Sequence, residues 1–239
     1  NILTQLTETD RVLCVCGPKS DAAYTEAIVK LAGHLQYPIL ADPLSQLRTG
    51  HHDKTLIIDC YDAFLRSPDI AERLQPEIII RFGAMPVSKA FLQFAQRHKQ
   101  TKQMIVDDGK GWRDPTLAAS DYVFADADIF CRQLIGRIEA AGKTRLESSW
   151  AQKWQQINTI SKERIRSTRF ERLFEGHVML ETIERLPEGT TLYVGNSMPV
   201  RDLDTFLLNR DEPLVTMANR GANGIDGVVS TALGVSTIT

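Results

Sequence analysis

The sequence has few cysteines and no Cys-x-x-Cys pair, and these absences exclude several kinds of site. Four cysteines occur in 239 residues, at Cys14, Cys16, Cys60 and Cys131. They are too few and too scattered for a disulfide framework, and no zinc or dithiol redox motif is present. Apolar packing is the simplest role for Cys14 and Cys16. We therefore expect a protein of a reducing compartment, the cytoplasm.

The sequence also lacks an excess of charge and a long apolar run. Lys and Arg number 28 against 30 Asp and Glu, a net charge of −2, so no overall field favours nucleic acid. No apolar run approaches the roughly 18 to 20 residues that cross a bilayer, so we expect no membrane partner. The composition, 43% hydrophobic and 24% charged, is typical of a soluble globular protein. Because Asn1 replaces an initiating Met and Thr239 falls inside a predicted helix, we expect a piece of a longer protein.

Short aliphatic runs alternate with amphipathic stretches over residues 1–142. The apolar runs predict strands at 11–17, 38–41, 56–59, 77–82, 103–107 and 122–125. Apolar residues at helical spacing predict helices between them, including 21–36, 87–98 and 127–141. This alternation predicts an α/β fold in which a doubly wound parallel sheet forms a central domain.

Residues 143–173 form a basic segment in which Lys and Arg outnumber Glu by eight to three. The cations are Lys143, Arg145, Lys153, Lys162, Arg164, Arg166, Arg169 and Arg172. Trp150, Trp154, Ile157 and Ile160 supply an apolar stripe, so the segment is predicted to be a connecting helix on the protein surface. A solvated helix face is the simpler interpretation of the charge, and a nucleic-acid arm is the alternative.

A second α/β unit is predicted over residues 174–239. Its predicted elements are a helix at 174–186, a strand at 191–195, a helix at 198–208, a strand at 213–218 and a helix after Gly227. Two βα units are too few for a complete open sheet. We therefore expect an incomplete second domain.

No dinucleotide fingerprint accompanies the predicted fold. Gly17, Pro18, Lys19 and Ser20 follow the first strand, where backbone N–H groups can hold an anion. The stretch matches neither GxxxxGK[ST] nor GxGxxG. An ordinary turn and a phosphate site both remain open here, and an NAD or FAD assignment is disfavoured.

The stretch GNSMPVRD at residues 195–202 joins a strand end directly to a helix start. Pro199 suits the first helical turn and Ser197 suits the cap, and the exposed N–H groups of such a turn favour an anion. Arg201, one turn into the helix, and Arg220, after the next strand, predict a clamp for a carboxylate. Pairing of Arg201 with Asp202 or Asp204 on a surface helix is the alternative.

The stretch NRGANGIDG at residues 219–227 places three glycines between a strand and a helix. Gly221, Gly224 and Gly227 permit a close approach of the backbone to a ligand. Ile225 is the unusual member of the loop. It is either a wedge against a bent cofactor or an apolar anchor for the loop.

These stretches together resemble the SEPHCHC synthase family of thiamine-diphosphate enzymes, which act in menaquinone biosynthesis. The resemblance rests on GNSMPVRDLD at 195–204, NRGANGIDG at 219–227 and STALG at 230–234. ADPLSQLR at 41–48 and RFGAMPVSK at 81–89 resemble the central domain of that family. The resemblance extends over essentially the whole chain.

The resemblance implies an enzyme that decarboxylates 2-oxoglutarate and adds the succinyl unit to isochorismate. It implies thiamine diphosphate with Mg²⁺ or Mn²⁺ as cofactors, and a homo-oligomer, a dimer or tetramer, with no nucleic acid among the partners. The substrate-binding residues it implies are Lys89, Ser197, Arg201 and Arg220. The cofactor-binding residues it implies are Gly195, Asn196, Ser197, Met198, Asn223, Gly224 and Ile225.

The resemblance also implies that two parts of the enzyme lie outside this chain. Family members carry the cofactor-activating glutamate in a preceding domain, and this sequence has no counterpart of it before Asn1. They also carry a GlyAsp metal motif beyond the STALG helix, and this sequence ends before it. We therefore expect no catalytic or metal-binding residue in this piece, which by itself is predicted to be inactive and to bind the cofactor weakly. The alternative is a noncatalytic α/β module that binds a small anionic metabolite through basic residues at strand ends.

Overall fold

Two parallel sheets form the framework of the chain. The computed structural model describes residues 2–19, 21–109, 111–169, 171–221 and 224–238. The larger sheet consists of β1 (Val12–Cys16), β2 (Ile39–Ala41), β3 (Ile57–Ile58), β4 (Ile78–Phe82), β5 (Lys102–Val106) and β6 (Asp121–Val123). The smaller sheet pairs β7 (Thr191–Val194) with β8 (Val215–Ala218).

The strand order of the larger sheet is β3-β2-β1-β4-β5-β6, and every pair is parallel. The central pair, β1 and β4, is in register from Val12 opposite Ile78 to Cys16 opposite Phe82. Because the order reverses between these two strands, a crevice is expected outside their carboxyl ends. The predicted doubly wound parallel sheet is confirmed.

Helices cover both faces of the larger sheet. The described helices are α1 (Ile2–Glu8), α2 (Ala22–Leu35), α3 (Tyr61–Phe64), α4 (Pro68–Arg73), α5 (Lys89–Arg97), α6 (Ala127–Ala141), α7 (Ser149–Ser167), α8 (Glu175–Arg185), α9 (Met198–Phe206) and α10 (Gly227–Val235). Successive side chains of a strand point to opposite faces. Cys14 and Cys16 therefore pack with α2 and α6 on one face, while Leu13 and Val15 pack with α3, α5 and α7 on the other.

The basic segment forms α7, which is anchored to the larger sheet. Trp150 and Trp154 are buried, and the indole Nε1 of Trp150 donates to the carbonyl of Val12 at 3.0 Å. Ile160, predicted to extend the apolar stripe, is instead 52% exposed. The apolar face nevertheless extends to Ile165, which is half-buried and packs against the same core, while Arg164 and Arg166 in the last turns are exposed.

The smaller sheet packs against the carboxyl edge of the larger one. Its core contains Leu203 and Leu207 of α9 and also Leu44, which follows β2. The Thr216 hydroxyl donates to the carbonyl of Pro43 at 2.6 Å, and the Thr49 hydroxyl donates to the carbonyl of Leu214 at 2.8 Å. Side chains, more than strand pairing, therefore join the two sheets.

The predicted elements agree with the structure except at short helices and caps. The sequence analysis did not predict α1, α3 or α4. It also began one helix at Val87, whereas α5 begins at Lys89, with the Ser88 hydroxyl accepting from the N–H of Phe91 at 3.0 Å. None of the described helices combines the length and the hydropathy that a bilayer crossing requires.

Candidate functional site

A cleft of about 700 Å³ opens between the start of α5 and the start of α9. Lys89 is the first residue of α5, and Met198 and Arg201 come from the beginning of α9. The side chains of all three line the cleft, and all three residues are exposed. An ammonium and a guanidinium on one open cleft suit a ligand that carries carboxylates.

The turn into α9 has an unusual backbone. Ser197 has φ +70° and ψ −124°, a conformation that a residue with a side chain adopts only when its surroundings impose it. Ser197 occupies the N-cap position as predicted, but its side chain makes no capping hydrogen bond to the helix. Ser197 is exposed and stands just before the first turn that contains Pro199, so this strained position is a candidate for ligand contact.

Asn196 lies beside this turn and has an incompletely satisfied side chain. Its Nδ2 donates to the carbonyl of Gly224 at 3.2 Å, which ties the turn to the glycine loop. Its Oδ1 is buried and has no hydrogen-bond partner. A buried acceptor without a partner costs about 1 to 3 kcal/mol, so it suits a bound group that brings a donor. A ligand that brings an N–H donor would satisfy this oxygen.

The glycine loop is only partly described. Asn223 lies outside the described residues, whereas Gly224 and Ile225 are exposed, Ile225 by 82%. Ile225 therefore does not anchor the loop in the core of this chain. Gly195 precedes Asn196. Among the described residues, a Cβ added at Gly195 would meet Pro199, at an ordinary contact distance of 3.8 Å.

Arg220 lines a different depression from Arg201. Its groove, of about 260 Å³, is shared with Lys19 from the turn after β1 and with Gln46. The structure thus brings Lys89 and Arg201 together in one cleft and places Arg220 with Lys19 in another. A single clamp formed by Arg201 and Arg220 stays a prediction.

Asp42 lies between the two depressions. Its Oδ2 accepts from the N–H of Val87 at 2.7 Å, in the loop before Lys89, and its Oδ1 accepts from the N–H of Leu44 at 2.8 Å. Burial raises the pKa of Asp42, and the two N–H groups and the guanidinium groups of Arg48 and Arg220 oppose that rise. This carboxylate therefore interacts with parts of both depressions.

Arg48 and Asp204 form a fully buried ion pair beneath α9. The Arg48 guanidinium lies 2.5 Å from the Asp204 carboxylate and also donates to the backbone carbonyls of Asp204, Leu207 and Ala41. Burial raises the pKa of Asp204, and the Arg48 guanidinium opposes that rise. Asp204, one of the two aspartates expected as alternative partners of Arg201, is therefore bonded to Arg48 instead.

The sequence pattern did not predict these buried charges. Asp42 and Arg48 lie within ADPLSQLR, a stretch whose only sequence signal is its resemblance to the family. The available signal was a charged residue directly after a wholly apolar strand. A charge buried at such a position requires a partner, so it indicates an ion pair. Within the described part of the chain, no group of three or more His, Cys, Asp or Glu side chains is arranged to hold a metal ion.

Comparison with known proteins gives consistent matches. A family model described as "Middle domain of thiamine pyrophosphate" matches residues 4–194. The 2-succinyl-5-enolpyruvyl-6-hydroxy-3-cyclohexene-1-carboxylate synthase of Geobacillus kaustophilus is 51% identical over 233 residues, which cover 97% of this chain and 40% of that protein. The synthase of the same name from Bacillus cytotoxicus is 44% identical over 239 residues, covering 100% of this chain and 40% of its own length. The chain thus spans about 40% of the length of these curated relatives.

Proposed function

Because the chain belongs to the family of thiamine pyrophosphate middle domains, we propose that it is the central part of a SEPHCHC synthase. In this proposal residues 1–142 form the central domain, and residues 174–239 begin the diphosphate-binding domain. Residues 143–173 form a basic helix that connects the two. The identity of 42% to 51% with six curated synthases supports it.

The proposed reaction is the decarboxylation of 2-oxoglutarate and the addition of its succinyl unit to isochorismate, giving 2-succinyl-5-enolpyruvyl-6-hydroxy-3-cyclohexene-1-carboxylate. Thiamine diphosphate, when bound, supplies the electron sink that decarboxylation requires. This chain supplies groups that bind and orient carboxylate substrates. The proposal extends to Mg²⁺ or Mn²⁺ as the metal, to a homo-oligomer and to a cytoplasmic location.

The observation that carries the proposal is that Lys89 and Arg201, together with Arg66 of the ion pair with Asp62, line the α5–α9 cleft. Lys89 lies on α5, which follows a strand of the larger sheet, and Arg201 lies on α9, which follows a strand of the smaller sheet. Both residues nevertheless line the same open cleft. Both proposed substrates carry carboxylates, which an ammonium and a guanidinium bind by charge-assisted hydrogen bonds. Arg220 is proposed to bind a carboxylate from the neighbouring groove. Ser197, which is exposed and precedes Met198 of the cleft, is also proposed to contact substrate.

The cofactor-binding role is proposed for the turn into α9 and for the glycine loop. Asn196 contributes a buried oxygen that lacks a donor, and Gly195, Ser197 and Met198 form the adjoining backbone. Gly224 and Ile225 belong to the same site in this proposal, together with Asn223. The exposed Ile225 side chain is then available for contact with the cofactor.

The test uses the full-length protein that contains this chain. Purified protein is incubated with 2-oxoglutarate, isochorismate, thiamine diphosphate and Mg²⁺, and release of carbon dioxide and formation of the adduct are measured. We expect adduct formation that depends on both substrates and on the cofactor. Adduct formation without thiamine diphosphate, or no adduct with all components present, would contradict the proposal.

A further inference from the structure

Asp62 is a buried aspartate of α3 at the α5–α9 cleft. Its Oδ1 accepts a hydrogen bond from the Ser88 hydroxyl at 2.7 Å. Ser88 in turn caps α5 by accepting from the N–H of Phe91. Because the next residue is Lys89, this carboxylate fixes the cap from which the lysine projects.

The second oxygen of the same carboxylate contacts α9. Asp62 Oδ2 lies 3.0 Å from the Thr205 hydroxyl, which also lies 3.2 Å from the backbone carbonyl of Arg201. The single hydroxyl proton can satisfy one acceptor at a time, and an ionised carboxylate is the stronger one. Thr205 therefore links the carboxylate to the helix turn that carries Arg201.

We propose that Asp62 is a positioning residue that sets the separation between Lys89 and Arg201. This inference rests on the proposed function, because the two cations are there assigned to substrate carboxylates. One carboxylate binds the cap of the lysine helix with one oxygen and the arginine helix with the other. Two cations matched to a dicarboxylate must be held at a fixed distance, and a displacement of about 1 Å can weaken a site severely.

A carboxylate suits this role better than a neutral side chain. Asp62 must accept from Ser88 on one oxygen and from Thr205 on the other, while its Oδ2 also accepts from the Arg66 guanidinium at 2.5 Å. Only an ionised carboxylate offers acceptor positions on both oxygens and no competing donor. At 5% exposure, Asp62 is largely protected from water that would compete for these bonds.

The experiment changes Thr205, because removing the buried carboxylate itself would also disturb the cap of α5. Thr205→Val removes the hydroxyl and keeps the shape, whereas Thr205→Ser keeps the hydroxyl. The matched control is Thr25→Val: Thr25 is a half-buried helical threonine whose hydroxyl likewise bonds the carbonyl four residues earlier, that of Asp21, at 3.4 Å. All variants are made in the full-length enzyme.

We expect Thr205→Val to raise the KM of at least one substrate, 2-oxoglutarate or isochorismate, by about three- to tenfold with kcat nearly unchanged. Thr205→Ser and Thr25→Val should retain the wild-type KM. Crystal structures of wild type and Thr205→Val should differ in the distance between Lys89 Nζ and the Arg201 guanidinium. In an active enzyme, an unchanged KM or an unchanged distance overturns the inference and leaves the proposed function intact.

The two proposals fail in distinguishable ways. If the wild-type enzyme forms no adduct, the proposed function fails, and the two crystal structures alone decide on Asp62. An unchanged distance between Lys89 and Arg201 then overturns its positioning role, and a changed distance supports it.

Discussion

At the scale of single residues, the cleft depends on where charge is exposed and where it is buried. Lys89 and Arg201 are exposed, whereas Asp42, Arg48, Asp62 and Asp204 are buried and bonded to the elements around the cleft. An exposed cation keeps its hydration until a ligand arrives, and a buried charge is held by fixed partners. In our proposals the exposed cations therefore bind ligands, and the buried charged residues position the elements around the cleft.

Arg201→Ala is expected to weaken substrate binding in the full-length enzyme. Loss of a charge-assisted hydrogen bond costs about 1.5 to 3 kcal/mol, so kcat/KM should fall by roughly ten- to 150-fold. Arg220→Ala should have an effect of similar size. Steady-state kinetics provide the measurement, with Arg137→Ala, an exposed arginine of α6, as the control. Unchanged kinetics in both the Arg201 and Arg220 variants would refute carboxylate binding by these residues.

Asp114 should make stability depend on pH at the acidic end. Burial alone would raise the pKa of Asp114, but hydrogen bonds from the Thr116 hydroxyl and the N–H groups of Ala119, Thr116 and Ala118 lower it below the ordinary value of 3.8. The unfolded chain therefore binds this proton more tightly than the folded one. The stabilisation is complete well above pH 4 and is lost as pH falls through the folded-state pKa.

Asp114→Asn is the corresponding variant. At neutral pH it should lower the free energy of unfolding by about 1 to 3 kcal/mol, because the amide cannot accept all four bonds. Denaturant titrations of both proteins at several pH values measure the difference. The difference should shrink below pH 4, and a difference that is constant down to pH 3 would contradict this account.

Single residues could be predicted from the sequence where they belong to a recognisable motif. Lys89, Asn196 and Arg201 lie in motifs that follow strands and resemble those of a known family. Asp62 carried no such signal, since its role arises only when α3 lies against both α5 and α9. Contacts between residues more than a hundred positions apart are set by packing, which local patterns do not encode.

At the scale of elements, α9 is held at its carboxyl end. Its first turn contributes Met198 and Arg201 to the cleft, while its last carbonyls accept from the buried Arg48 guanidinium. A cation at the carboxyl end of a helix also stabilises the helix dipole. The orientation of α9, and with it the position of Arg201, therefore depends on a residue that follows β2.

Arg48→Met should destabilise the protein strongly. It leaves the Asp204 carboxylate buried without its cation, a change that costs about 3 to 5 kcal/mol. The double variant Arg48→Met with Asp204→Leu replaces the whole ion pair by apolar groups and should recover most of that loss. Denaturant midpoints provide the measurement. Equal midpoints for the single and double variants would show that the ion pair is not what the mutation disrupts.

Element-level prediction succeeded where the hydrophobic pattern was long. The strands β1 and β4 are wholly buried apolar runs, and α2 and α6 have regular apolar faces, so both kinds were predicted nearly to their ends. The helices α3 and α4 have only four and six residues, too short to show a period. Their existence depends on packing against the rest of the chain.

At the scale of the whole molecule, the α5–α9 cleft is shared by elements of both sheets, while the described part of the glycine loop is exposed. Gly224 and Ile225 contact little of this chain, although the turn at Asn196 is held beside them. Binding energy for a cofactor requires burial of its surface, which exposed residues alone do not supply.

The polypeptide of residues 1–239, taken alone, is therefore expected to bind thiamine diphosphate weakly. Calorimetric titration with thiamine diphosphate and Mg²⁺ should show no sub-micromolar binding, and the polypeptide should not turn over the two substrates. The full-length protein, titrated in parallel, is the control and should bind tightly. Sub-micromolar binding by the polypeptide would contradict this expectation.

The last helix illustrates a consequence of poor burial. No residue of α10 is buried, although Val229 and Leu233 are apolar and 70% and 63% exposed. A helix of nine residues gains little from its own backbone and is marginal in water without tertiary support. In deuterium exchange of this polypeptide, the amides of α10 should therefore be labelled within seconds, whereas those of β1 and β4 should stay protected until the sheet itself opens.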